Sequence, residues 1–599
     1  MIFKNIYKKY EVAHHWISTL ILHIIITFIV TLPFLLYFNS HFVGGPRGDK
    51  FQFIWNFWWV KHSIFDLHKL PSFCNLQYYP TGVSLALHDM TYFWSILSVP
   101  FQFFLNPAQI LNLFLFLCFP LNGMAFYYMA KEITKEHRGA LAGSLIFAYC
   151  PYLIGRFHVC HIQYLSVFFI PLFLLELWRY NQSSRLINLI KASIYFFLTS
   201  MISYYYGAAL SLILICFFIY QVICIKKKPS YTGYLAKLSL NILITFLLIF
   251  ILMSPFFIPA LIQIYRGDYQ SAKVTLNSIE DNSGDLVSYL IPDTTLASWK
   301  GWSLSKSAER WMGRFNASIS GNKLEKSVYP GWISLISIGL AIFFKAFRKK
   351  AWTWLLLALL FWIISLGPTL FVYGKPYLKG LLPYSIFCII PLFDIIRAPT
   401  RFAFFITLGG GMLVAIGISQ LRKNFSLRFY RIVTILIIAV TLVEFLPRPT
   451  YLTPNNIFIS NFYYYLQQDP NEFSILNIPV DFVGATGGGD IYVYAQTIHE
   501  KRIIGGHISR EPIYALDTLN KSLFLQAITP NTYDESSGLP LTKAGYKEMP
   551  DALKRLNIGY VILHKSILTD NEYWRVIKWI EPGLGRPIFE DEWIRVYSP

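Results

Sequence analysis

Charge is the scarcest commodity in this chain. Of its 599 residues only 14% are Asp, Glu, Lys or Arg, where a soluble domain carries about 25%. Polar surface on that scale cannot coat a soluble protein of this size, and 55% hydrophobic residues with a mean hydropathy of +0.44 point to a lipid-facing one. Cysteine is sparse too: Cys74, Cys118, Cys150, Cys160, Cys216, Cys224 and Cys388 are all there is. None follows Cys388, so the C-terminal part forms no internal disulfide. There is no Cys-x-x-Cys, no defensible Ser-His-Asp order and no nucleotide-binding loop, since no Lys-Ser/Thr follows Gly487-Gly488-Gly489-Asp490. Heptads, low-complexity tracts and solenoid repeats are also missing. The net charge of +19 is spread over short loops, where it faces anionic headgroups rather than nucleic acid.

What the chain does have is long apolar runs. A helix needs about 20 apolar residues to cross the hydrocarbon. By that rule spans are expected near 18–39, 107–130, 139–155, 162–178, 187–203, 205–225, 236–262, 329–347, 352–372, 402–421 and 431–447, about eleven in all. The first is too long for a cleaved signal core and no small-residue cleavage site follows it, so it is expected to remain. Basic clusters sit between alternate runs: Lys4/Lys8/Lys9, Lys131/Lys135/Arg138, Arg179/Arg185/Lys191, Lys226/Lys227/Lys228, Lys345/Arg348/Lys349/Lys350 and Arg422/Lys423/Arg428/Arg431. Lys and Arg stay cytoplasmic during insertion. The expectation is a polytopic α-helical protein of the bacterial cytoplasmic membrane, with its N-terminus inside and its C-terminus outside.

The sequence divides into a transmembrane part, 1–449, and a soluble extracytoplasmic part, 450–599. Two large outer loops are expected, 40–91 and 265–327. In the first, Phe51 to Trp59 reads as an amphipathic helix in the interface. The apolar stretch 92–105, interrupted by Pro100, reads as a half-helix. In the C-terminal part, Phe473–Ile478 and Tyr560–Leu563 read as buried strands and Lys543–Leu556 as a helix, an α/β pattern.

Candidate chemistry gathers outside the spans. Asp49 follows Gly44-Gly45-Pro46-Arg47-Gly48, where a carboxylate near the membrane surface can serve as a general base for a hydroxyl acceptor; the bland alternative is a solvated loop aspartate. His88-Asp89 can bind a divalent metal or shuttle a proton, or simply end a polar loop. In Arg156-Phe157-His158-Val159-Cys160-His161-Ile162-Gln163, Arg156 can hold a phosphate and Gln163 a sugar hydroxyl. His158 and His161 share a face if the segment is helical, although a zinc site needs more ligands. Arg397 and Arg401, in Asp394-Ile395-Ile396-Arg397-Ala398-Pro399-Thr400-Arg401, lie on the side where arginine is unusual. They suit a phosphate at a helix start; anchoring to headgroups is the alternative.

The order of these features resembles the GT-C class of membrane glycosyltransferases, and more closely the bacterial YfhO-like proteins. The strings that carry it are Gly48-Asp49 with the Trp-rich stretch after it, Tyr79-Pro80-Thr81-Gly82, Arg156 to Gln163, Leu366-Gly367-Pro368, Arg397 to Arg401, and Gln496-Thr497-Ile498-His499 to Gly505-Gly506-His507-Ile508-Ser509-Arg510. The resemblance implies transfer of a sugar from a polyprenyl-phosphate carrier to an envelope glycan or lipid acceptor at the outer face, with Asp49 as catalytic base. Many members of that class pair two acidic residues in the first loop. Here Lys50 follows Asp49, so no metal or other cofactor is assigned. Two other functions compete. A transporter or flippase of lipid-linked sugars would need ionisable groups deep in the spans, where only His23, Glu176 and Glu444 are candidates. A non-catalytic envelope-assembly protein would need none.

Overall fold

The computed structural model describes residues 2–32, 34–225, 231–268, 274–292, 325, 327–390, 396–481, 488–530 and 538–599. The basic run 226–228, Asp394, Gly487 and most of the second large loop lie outside the described residues.

Helices occupy all eleven expected positions, but not all are fit to cross a bilayer. Among the described residues seven are long and apolar enough, from Ala13–Thr31 to Pro399–Asn424. Leu186–Ile202, Trp332–Phe343 and Ala351–Ser365 are apolar but shorter. Leu427–Glu444 carries Arg428, Arg431 and Glu444. Length and apolarity therefore support seven crossings where eleven were expected, and they make this a membrane protein.

The chain forms two compact units. One comprises Met1–Phe38, Asn112–Met253 and Val274–Tyr451; the other comprises Asn39–Leu111, Ser254–Lys273 and Leu452–Pro599. The first large loop thus falls with the C-terminal region, a grouping that a cut at residue 449 does not anticipate.

The helical unit is organised around Phe404–Asn424, which is buried along most of its length. Its three consecutive glycines each meet a different helix. A Cβ on Gly409 would lie 2.8 Å from the Trp354 carbonyl oxygen, one on Gly410 2.7 Å from Ser334 Cβ, and one on Gly411 3.0 Å from the Gly143 carbonyl oxygen. Small residues let helix backbones approach this closely where no hydrophobic gain drives helix association. Because three neighbours grip it, the segment leading into this helix, which carries Arg401, is held in place.

In the second unit the core is a five-stranded sheet in the order Phe589–Glu590, Ile594–Tyr597, Ile558–His564, Ser474–Ile478, Arg502–Ile503. Ile558–His564 and Arg502–Ile503 run parallel to Ser474–Ile478, and the first two strands are antiparallel additions. Ser474–Ile478 is buried at every position, as a central strand covered on both faces should be. Helix Lys543–Arg555 leads into Ile558–His564, so the expected α/β elements are present. The loop joins this unit by backbone pairing: His41–Val43 runs antiparallel to Leu452–Pro454, with His41 opposite Pro454.

One expectation is corrected. Phe51 to Trp59 does form a helix, Lys50–Lys61, but it is not an amphipathic interfacial one. Ten of its residues are buried, Lys50, Gln52 and Asn56 among them. Its buried residues lie all round the helix, with the polar face of Gln52 and Asn56 buried as well, and a helix buried on every face belongs in a core. It packs on Gly489–His499 within the same unit. The 92–105 stretch is a short helix, Tyr92–Ser98, continued by a 3-10 turn at Val99–Phe103 that Pro100 starts.

Candidate functional site

The helical unit buries two arginines against one carboxylate. Arg156 lies in the last turn of helix Pro151–His158 and is 2% exposed. Arg401 lies in the 3-10 turn Pro399–Phe402, immediately before Phe404–Asn424, and is buried as well. Glu325 joins them. Its Oε2 accepts from Arg156 Nη2 at 2.7 Å, and its Oε1 accepts from Arg401 Nη2 at 2.6 Å and Nε at 3.1 Å. Burial opposes ionisation of Glu325, but Arg156 and Arg401 outweigh it and hold the carboxyl well below its usual range. Among the described residues, two positive charges stand against one in this buried place, a surplus of one.

Tyrosines line this cluster. Arg156 sits 4.7 Å from the Tyr152 ring, and Arg401 sits 4.2 Å from the Tyr164 ring and 4.5 Å from that of Tyr205. Such contacts attract a desolvated guanidinium to the ring face. Arg401 Nη1 also donates to the Tyr164 hydroxyl. Tyr206 donates to the Tyr164 carbonyl at 2.9 Å, and its hydroxyl is 3.1 Å from that of Tyr152.

The other expected residues of this unit cluster around the same chain segments. His161 Nδ1 is 3.4 Å from Arg156 Nη1. Gln163 is buried, and its Oε1 has no hydrogen-bond partner among the described residues. His158 ends its helix while the next begins at Ile162, so His158 and His161 do not share one continuous helical face. Arg397 is exposed; its backbone N–H donates to the Tyr205 hydroxyl at 3.2 Å. Leu366-Gly367-Pro368 belongs here too. Gly367 has φ +78°, and a Cβ on it would lie 2.0 Å from Ser283 Oγ and 3.4 Å from Pro399 Cγ, so only glycine fits beside the turn that carries Arg401.

The second unit gathers the remaining candidates. Asp49 is half-buried at the start of helix Lys50–Lys61. Gly48, at φ +116°, turns its N–H onto Asp490 Oδ2 at 2.9 Å. Burial raises the Asp490 carboxyl above its usual range, against the pull of that N–H, His507 and Arg47. Asp481, fully buried, accepts the Gly489 N–H at 2.7 Å. Gly488 and Gly489, just before Asp490, thus form a helix start whose first N–H is held by Asp481.

His88 is locked at both ring nitrogens. Nδ1 accepts the Ser509 N–H at 3.0 Å, which assigns the ring proton to Nε2, 2.9 Å from Asn56 Oδ1. Asn56 Nδ2 in turn donates to the Asp89 carbonyl at 2.8 Å. Burial, with His507 adding to it, lowers the His88 pKa to about 3, so the ring is neutral. Trp55 Nε1 donates to Gln496 Oε1 at 2.9 Å, and the His507 N–H donates to Gln77 Oε1 at 2.9 Å. The loop strings and the Gln496-to-Arg510 string therefore meet in this unit. Among the described residues, no group of three or more His, Cys, Asp or Glu could hold a metal ion.

Ionisable groups in the spans are tied to their own neighbours. His23 hydrogen-bonds Ser144 and Tyr149, at 3.0 Å and 3.2 Å, Glu176 pairs with Arg179 at 2.5 Å, and Glu444 accepts the Trp332 N–H at 2.8 Å. The residue that sequence reasoning missed is Glu325. It is an acid between Lys323 and Lys326, and nothing local marks it.

The sequence pattern of a family described as a domain of unknown function (DUF6311) matches residues 20–445. It names neither the GT-C class nor the YfhO-like proteins. No curated protein matches the chain. Among solved structures, the chain is similar to the oligosaccharyltransferase of Archaeoglobus fulgidus in complex with zinc and sulfate, at 13% identity and a TM-score of 0.49, covering 97% of this chain and 73% of that one. It is similar to the apo form at 12% identity and 0.48, covering 94% and 71%. For that organism's AglB with an inhibitory peptide and a dolichol-phosphate, the values are 12% and 0.45, covering 96% and 71%.

Proposed function

The chain belongs to the DUF6311 family, and we propose that it is a membrane glycosyltransferase that takes a sugar from a polyprenyl-phosphate donor at the outer face of the bacterial cytoplasmic membrane. The acceptor is an envelope glycan or lipid. The observation that carries this reading is the buried Arg156–Glu325–Arg401 cluster with its surplus positive charge. A buried ionic group among apolar helices is costly, and such groups are kept where they bind or move something. Arginine matches the planar oxygens of a phosphate. In this reading Arg156 and Arg401 hold the donor phosphate and exposed Arg397 guides it in. Gln163, whose buried Oε1 lacks a partner among the described residues, takes a sugar hydroxyl, and His158 and His161 complete the surround. Asp49 is the base that deprotonates the acceptor. His88 and Asp89 hold the Asp49 loop in shape, because both ring nitrogens of His88 are already engaged.

A transfer assay tests this, with purified full-length protein, a polyprenyl-phosphate sugar and an envelope acceptor fraction. Asp49→Asn keeps the size of the side chain and removes the base, so the rate should fall by roughly 10²–10⁴ with expression and folding unchanged. Transfer at the parental rate would remove Asp49 from the mechanism. A parent protein that transfers nothing would favour the assembly role.

A further inference from the structure

We propose that Glu325 is the resident anion of a phosphate site: its carboxylate fills the arginine pair until a phosphate-bearing ligand displaces it. The inference rests on the phosphate reading of Arg156 and Arg401 and adds how access to them is controlled.

The geometry is that of occupation. Glu325 takes Arg401 by two nitrogens at once, Nη2 and Nε, while its other oxygen takes Arg156 Nη2. That paired edge is the one arginine uses to grip a carboxylate or a phosphate. The third nitrogen of Arg401, Nη1, is engaged by the Tyr164 hydroxyl. Arg401 therefore has no two-nitrogen edge to offer a ligand while Glu325 is seated, and the cluster is buried. A phosphate can use Arg401 in bidentate fashion only if the carboxylate leaves.

For a phosphodiester the exchange is balanced in charge. A phosphodiester carries one negative charge, as Glu325 does, so that exchange leaves the surplus of the cluster as it was, while a monoester or free phosphate, at about −1.5 to −2, takes up most of it. The tyrosine rings that flank the guanidiniums stay in place. The ligand class is a phosphate oxyanion, and its source is either a lipid headgroup or free phosphate.

Competition of this kind has a measurable signature. An internal occupant present more than nine-tenths of the time lowers apparent affinity on the order of tenfold or more, and removing it restores that factor. The measurement is binding of farnesyl phosphate and of inorganic phosphate to the full-length protein in detergent. Glu325→Gln keeps the shape and removes the charge, and should bind tighter than the parent by on the order of tenfold. Glu325→Asp keeps the charge but is one methylene short of bridging both arginines. It should tighten binding by less, and it serves if the Gln variant does not fold. A gain for farnesyl phosphate alone identifies a lipid headgroup, and a gain for both identifies the oxyanion itself. If the parent binds phosphate and both folded variants bind it equally or more weakly, the exchange is wrong and the phosphate reading stands. If neither probe binds the parent or the variants, both are wrong.

Discussion

Two buried polar clusters, one in each unit of this chain, are built on opposite principles. In the helical unit Arg156, Glu325 and Arg401 are ions, with more positive charge than negative. In the other unit His88, Asn56, Ser509 and Asp89 form a chain of neutral hydrogen bonds in which both ring nitrogens of His88 are satisfied. A neutral, fully paired network has nothing left to offer and fixes the shape of what surrounds it. A charged cluster with a surplus is expensive to keep buried and retains an attraction for a further anion. The charged kind is the one to read as a binding site, and the neutral kind as scaffold within its own unit.

Acid should separate the two most widely. His88, His499 and His564 are all lowered to about 3, by burial first, with His507, Lys501, and His499 with Arg47 as the respective secondary causes. Unfolded, each titrates near 6.5. Between those values the unfolded chain binds protons that the folded one refuses, so stability is full above pH 6.5 and is lost as the pH falls toward 3. At pH 5 the loss approaches about 2 kcal/mol for each ring, at 1.36 kcal/mol per unit. Glu325 behaves otherwise: burial raises its pKa, the two arginines more than reverse that, and the carboxyl stays ionised until well below the usual carboxylate range. Hydrogen exchange at pH 7 and pH 5 should therefore show protection falling in 488–530 and 538–599 before it falls around Arg156 and Arg401. The reverse order would break the comparison.

The ionic cluster has its own test, somewhat smaller. Arg401→Met strands Glu325 with one partner, and removing one member of a buried ionic group costs about 3–5 kcal/mol. Replacing the whole group, Arg156→Met with Glu325→Leu and Arg401→Met, should return thermal stability in detergent close to that of the parent, since apolar residues of similar volume are tolerated there. Phosphate binding should be lost in the triple variant all the same. A triple variant as unstable as the single one would mean that the arginines are there for packing.

How much of this was legible in the sequence follows from how local each signal is. Strand Ser474–Ile478 and helix Lys543–Arg555 announce themselves through the residues they contain, and each long apolar run marks a helix. The shortfall from eleven to seven crossings is a matter of length for three helices, whose ends the sequence does not mark, and of charge for Leu427–Glu444. Arg156 and Arg401 were visible as arginines out of place. Their shared partner was not, since Glu325 lies 169 residues from Arg156 and 76 from Arg401. His88 looked reactive beside Asp89, and what silences it is Ser509, 421 residues away. The Trp-rich stretch misled for another reason: aromatic residues suit a membrane interface and a core equally well, and only the burial of Lys50, Gln52 and Asn56 tells them apart.

That helix gives the finest test. Trp55 is buried and donates its Nε1–H to Gln496 Oε1 at 2.9 Å. Gln496 spends its amide group on two backbone carbonyls, of Leu76 at 2.8 Å and Lys501 at 3.0 Å, so it cannot turn to recover a lost donor. Trp55→Phe deletes the donor and leaves the acceptor buried, at a cost of about 1–3 kcal/mol, part of it for the smaller ring. Trp58, half-buried in the same helix, provides the control: Trp58→Phe should stay within about 0.5 kcal/mol, as peripheral substitutions do. Both are measured by thermal unfolding of the full-length protein. If the helix lay in the membrane interface, detergent or lipid would meet both rings and the two variants would lose stability alike. A clear gap between them, with Trp55 the more costly, belongs to a helix that is the core of its unit, and it sets the neutral network apart as the part that holds the Asp49 loop rather than the part that binds.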